Sequence, residues 1–255
     1  MVSFFFALST RKDSDPMDRG EDFSAYLAPT SIIDGDHPDV RAFALQMAGE
    51  SPVPVERAVK LYLAVRDSIR YDPYMPFHLP EHYRASLVLK RGRGFCIPKA
   101  SLLCACARAM GIPCRLGFAN VRNHLATRQL LDFLGVDLFV YNTFVEMYLE
   151  GKWVKATPAF NRELCERHRV PPLDFDGRGD SVFQPYNLEN RKFMEYVSFL
   201  GTHADVPVAE IVAAWEAAYG KARVSSWISE FEGSGGATLS GFEIQDVFQG
   251  SIERK

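Results

Sequence analysis

The chain has 255 residues, 47% of them hydrophobic and 24% charged, with a net charge of −3 from 29 basic and 32 acidic side chains. That suits one large domain or two small ones with a real core. With arginines scattered rather than striped, it argues against a nucleic-acid binder or a protein drawn to an anionic membrane. The five cysteines are odd in number and lack close paired spacing with histidine, so neither a disulfide framework nor a zinc site is expected, and a reducing, cytoplasmic setting is.

In chain order, MVSFFFALST is apolar but has no positive flank, so it does not read as a secretory signal. No run reaches the ~18 apolar residues of a spanning helix. The charged, turn-rich stretch 9–22 predicts a flexible leader over residues 1–30, ahead of one domain over 31–220. In DGDHPDVRAFALQMAG, Asp36 is placed to cap a helix with Pro38 in its first turn. SPVPVERAVKLYLAVRDSIRY carries apolar residues near a 3.6 period and predicts a second helix. Three prolines in YDPYMPFHLPEHYRAS predict a long surface loop, and LVLKRGRG ends in a glycine turn leading to Cys96. A helix comes next over about 97–110, ended by Gly111 and Pro113. CRLGFANV reads as a strand, with a polar helix or loop after it. LFVYNTFVEMYLEGKWVKATPAF is a hairpin: strand 138–149, a turn at Glu150-Gly151 and a return over 153–157. In that register Leu149 faces Lys152, Phe144 faces Thr157, and Asn142 faces Ala159 with Thr157 diagonal. HRVPPLDFDGRGDSVFQPYN is irregular, PVAEIVAAWEAAYG is a late helix stopped by Gly220, and EGSGGATLSG has linker composition. Residues 221–255 are therefore expected to be a C-terminal extension, partly flexible. Helices first and strands later predict an α+β fold.

Cys96 is the chemical focus. It opens an apolar helix after a glycine turn, and a helix start presents free N–H groups and partial positive charge that favour a thiolate and hold an oxyanion. Arg91, Arg93 and Lys99 would add charge if they turned inward. The bland reading is a buried thiol at a helix start, and Cys104, Cys106, Cys114 and Cys165 read as packing residues. Glu146 shares a strand face with Asn142 and is either a cleft carboxylate or a residue of the wet face. DFDGRGD lacks the terminal Glu of a calcium loop, and no phosphate-cradling glycine motif is present, so no metal or cofactor is expected.

The block GRGFCIPKASLLCACARAMGIPCRLGFANV resembles the nucleophile region of the transglutaminase-like superfamily, and FVEMYLEGKWVKATPAFN resembles its second block. The likeness covers roughly residues 55–160. The stretch from ELCERH to THADVP also resembles the lower half of a bacterial subgroup. The resemblance implies a papain-like α+β core, with the nucleophile helix packed on an antiparallel sheet. It also implies acyl transfer from an amide or ester to water or an amine, without a metal. The family's nucleophile falls on Cys96. Its histidine base falls on Asn142 and its orienting acid on Thr157, so both are replaced. An amide donates a hydrogen bond but cannot take a proton.

Four readings are open. A cysteine acyltransferase or hydrolase works on a small molecule or peptide, using another base, with His124 the first reserve and His78 and His82 behind it. Alternatively Cys96 acts on an activated donor such as a thioester, which needs less help. In the rival classes, the cleft binds without turnover, or it hosts non-acyl chemistry such as cyclisation or isomerisation. A biosynthetic role is expected rather than protein crosslinking, with no nucleic-acid or membrane partner. Nothing in the sequence sets an oligomeric state.

Overall fold

The computed structural model describes residues 22–167 and 169–235. Most of the expected leader, the residues from 236 onward and His168 lie outside that range. Helices α1 (Ser24–Leu27), α2 (Pro38–Ala48) and α3 (Pro54–Ser68) lead to the two-residue strand β1 (Arg70–Tyr71). Helix α4 (Ala85–Arg91), strand β2 (Arg93–Gly94) and helix α5 (Cys96–Ala109) come next, then strand β3 (Cys114–Asn123) and helix α6 (Arg128–Leu134). The hairpin is β4 (Leu138–Leu149) and β5 (Lys152–Ala156); after it come α7 (Arg162–Arg167), β6 (Met194–His203), α8 (Val208–Tyr219) and α9 (Lys221–Gly233). The expected α+β class holds. Among the described residues no helix is long and apolar enough to cross a membrane.

Helix α5 is the hub. Its sequence, CIPKASLLCACARA, is built of small and aliphatic residues, and every residue from Cys96 to Arg108 is buried. Small side chains let neighbours approach closely: a Cβ on Gly35 would come within 2.7 Å of the Ala105 carbonyl oxygen. Fully burying side chains such as Ile97, Leu102 and Leu103 stabilises by about 1.5–3 kcal/mol each. The two buried cations of α5 cap other elements. Lys99 Nζ donates to the carbonyls of Arg66 (2.8 Å) and Ile69 at the end of α3. Arg108 donates to the carbonyls of Ala28, Cys114 and Ala204. The carbonyls at the ends of α1 and α3 are ones that a helix leaves without intrahelical partners.

The main sheet is antiparallel in the order β5-β4-β3-β6. The hairpin matches its expected register, with Leu149 opposite Lys152. Glu150 (φ 49°) and Gly151 (φ 82°) both take the left-handed conformation that a two-residue hairpin turn requires.

Four expectations need correction. Helix α2 is capped by His37 rather than Asp36, with Nδ1 accepting from the Asp39 N–H at 3.2 Å. The hairpin ladder stops at Val145 opposite Ala156; the Thr157 N–H turns to the Ser181 carbonyl at 3.0 Å, so Asn142 is not laddered to Ala159. Strand β6 lies where no strand was predicted. It is an edge strand with two register irregularities against β3, and Val197 and Phe199 are exposed on it, so its pattern lacks clean alternation. Finally, residue 220 does not end the packed body: Val224, Trp227 and Phe231 on α9 are buried in the core.

Candidate active site at Cys96

Gly92 (φ 67°) ends α4 in the left-handed conformation, and β2 then pairs in parallel with β1, Tyr71 opposite Gly94. This fixes the chain just before the nucleophile helix. Phe95 caps α5 in an extended conformation and offers no side-chain acceptor, so the first N–H groups remain free. The main-chain N–H groups of Thr143 on β4, of Ile97 and of Cys96 itself favour the thiolate. Burial outweighs all three and pushes the thiol up to about 11. The expected thiolate is therefore not the resting form, because desolvation of a charge beats three main-chain dipoles. Nor do the neighbouring cations help. Arg91 donates to the Glu81 and His82 carbonyls, Arg93 sits 3.6 Å from Asp72, and Lys99 faces the end of α3.

Toward its start, before Val145, β4 is no longer paired with β5. Further along, a bulge interrupts the pairing of β3 with β4 between Ala119 and Val121, and Tyr141 takes φ 59°. A bulge inserts one unpaired residue and re-aims the neighbouring side chains. The Tyr141 N–H goes to Asn120 Oδ1 at 3.2 Å, and Val140 turns its polar groups to the open edge. There Tyr219 Oη accepts from the Val140 N–H at 2.8 Å and Trp215 Nε1 donates to the Val140 carbonyl at 3.1 Å. Helices α8 and α9 thus cover the gap, leaving a cavity of about 60 Å³. Cys96, Asn142, Tyr71, Trp215, Tyr219 and Trp227 are among its lining residues. The sequence reading missed the last four. The spacings Trp215/Tyr219 and Trp227/Phe231, each one helical turn, were the available signal.

Asn142 is 7% exposed, and its Oδ1 has no hydrogen-bond partner. The structure thus brings Cys96 and Asn142 to one cavity. Thr157 does not line it: its carbonyl accepts from Tyr62 Oη at 3.1 Å, and its buried Oγ1 has no partner of normal geometry, although the Tyr196 hydroxyl approaches it. His124 is corrected as the reserve base. It lies outside the cavity with Nε2 2.9 Å from Glu195 Oε2. Lys192 and His124 together hold that carboxyl down at about 2. His78 stands behind the wall, 3.6 Å from Glu232, and burial lowers His82 to about 4 while its Nδ1 accepts from the Leu79 N–H at 3.1 Å. Among the described residues no histidine lines the cavity. Glu146 is buried and paired with Arg115 at 2.7 Å, so it belongs neither to the cleft nor to a wet face. Arg115 in turn lies 4.0 Å over the Trp153 ring.

A larger cleft of about 580 Å³ lies between the end of α3 and α7, lined by Asp67, Arg70, Asn161 and Arg162 among others. Its described lining contains no cysteine or histidine and shares only Tyr71 with the Cys96 cavity, so the chemistry is assigned to the smaller space. Among the described residues no three His, Cys, Asp or Glu side chains gather to hold a metal ion.

None of the curated proteins matches the chain. Among solved structures, a candidate cysteine protease from Cytophaga hutchinsonii is similar at 15% identity with a TM-score of 0.47, over 77% of this chain and 51% of that one. The periplasmic domain of TgpA from Pseudomonas aeruginosa, bound to ethylmercury, is similar at 18% identity with a TM-score of 0.36, over 52% of this chain and 46% of that one. The chain therefore spans about half the length of each. The model of the transglutaminase-like superfamily matches residues 41–158, from α2 through the nucleophile helix and the hairpin to Pro158. That segment, just under half of the chain, is similar to the transglutaminase-like superfamily.

Proposed function

We propose that Cys96 takes an acyl group from an already activated donor, such as a thioester, without a side-chain base. The observation that carries this reading is the position of Cys96 at the start of α5, lining one cavity together with Asn142. In the step, Sγ attacks the acyl carbon and forms the new C–S bond. The donor's C–S bond breaks, and the Sγ proton leaves on the departing sulfur. Asn142 cannot hold that proton, and with this donor no residue has to. The raised thiol limits the rate at neutral pH, so reaction accelerates as pH rises.

The second reading is a binding protein, favoured by the high thiol and by the amide at position 142. One experiment separates the two. The other four cysteines are fully or almost fully buried, so mild alkylation reports on Cys96. Iodoacetamide labelling is expected to rise about tenfold per pH unit from neutral toward about 11. At alkaline pH an N-acetylcysteamine thioester should leave its acyl mass on the wild-type protein and none on Cys96→Ser. Absence of that mass at every pH would leave the binding reading.

A further inference from the structure

We infer that the group housed beside Cys96 is short, aliphatic and uncharged. This rests on the cavity and deepens the acyl-transfer reading, in which that group is the acyl chain; it holds equally for a bound ligand if no transfer occurs.

Three observations carry it. The first is chemical. Among the described residues no Lys, Arg, His, Asp or Glu lines the cavity, and ten of its seventeen lining residues are aromatic, so a charge brought there would meet no counter-charge. Burying an unpaired carboxylate is heavily disfavoured, whereas an alkyl chain gains from leaving water.

The second is size. The space is about 60 Å³. An apolar cavity of roughly 150 Å³ accommodates benzene, so this one suits a chain on the order of two to four carbons and not an aromatic ring. Its walls resist widening. Trp215 and Tyr219 are tied to Val140 by hydrogen bonds, and Trp227 stacks on Phe133 with ring centres 4.3 Å apart.

The third is the open acceptor. Asn142 Oδ1 is buried without a donor. A carboxylate would place a second acceptor against it. A neutral ligand carrying one N–H next to its chain would satisfy it.

The test uses the whole chain and three N-acetylcysteamine thioesters: butyryl, succinyl and benzoyl. Butyryl and succinyl have equal chain length and differ in charge; benzoyl is neutral but wide. Two readouts are kept separate. Intact mass tracks acylation of Cys96, and tryptophan fluorescence of Cys96→Ser tracks binding alone, since two of the three tryptophans line the cavity. Butyryl is expected to acylate, and to bind, at least about tenfold better than either rival, a difference of about 1.4 kcal/mol. Butyryl binding to Cys96→Ser with that preference, but no acyl mass on the wild type, would sink acyl transfer and uphold the cavity. Acylation or binding by succinyl or benzoyl at an equal or higher level would overturn the inference while leaving acyl transfer intact. Failure of butyryl both to label and to bind would overturn the inference as well.

Discussion

At position 142 an amide faces a thiol that burial has raised to about 11. An imidazole at that position would offer Cys96 a proton acceptor that an amide cannot. Asn142→His is expected to raise Cys96 alkylation at pH 7 by tenfold or more, because a positioned base contributes about 10²–10⁴. An unchanged rate at pH 7 would show that position 142 does not command the sulfur. The amide at 142 was legible in the sequence, and its reading as the place of a histidine rests on the family resemblance alone. The state of the thiol was not legible. Whether a helix start lowers a pKa depends on how much water reaches it, and the walls of the cavity beside Cys96 include Trp215, Tyr219 and Trp227, more than a hundred residues away in the chain. His124 failed as a reserve for a similar reason: a strand end followed by a histidine does not announce that Glu195, from another strand, will occupy its ring.

The elements show the same division between local and distant causes. The turn of the hairpin β4–β5 and the register beside it were read correctly, because alternation and a Glu-Gly turn are local properties. Strand β6 was not, because an edge strand with one open face and two register shifts breaks the period on which such readings depend. The turn at Pro80–His82 supplies a testable consequence at this scale. Burial, with His78 and Arg91 nearby, lowers His82 from 6.5 to about 4 in the fold. Between those values the unfolded chain binds the extra proton, so stability rises with pH across the window. The contribution is complete above about 6.5 and is lost as pH falls toward about 4. Urea unfolding at pH 7 and at pH 4.5 should therefore show a smaller pH-dependent loss for His82→Asn than for the wild type. The asparagine oxygen can still accept from the Leu79 N–H. Equal losses would remove His82 from the account.

Across the whole molecule, the site is assembled from five separated parts of the chain: residues 71–77 from the end of β1, the start of α5, helix α6, the bulged start of β4, and the pair α8–α9. The linker-like composition after α9 drew the expected boundary back to residue 220, while the apolar face Val224, Trp227 and Phe231 went unread. Phe231 is 1% exposed and lines the cavity. Phe231→Ala is expected to destabilise the fold by about 3–5 kcal/mol, as buried phenylalanine truncations do. Chemical denaturation measures this directly, and a loss below about 1 kcal/mol would mean that α9 is only loosely attached.

The complete burial of α5 has a consequence for how this protein can change. A helix enclosed on every side by α2, α3, α4 and the sheet offers almost no position where a side chain can be enlarged or charged without disturbing a neighbour. Its thirteen buried positions are a frozen part of the sequence, including the cysteine at their head. Packing alone therefore suffices to hold a small residue at position 96, whatever chemistry its thiol performs.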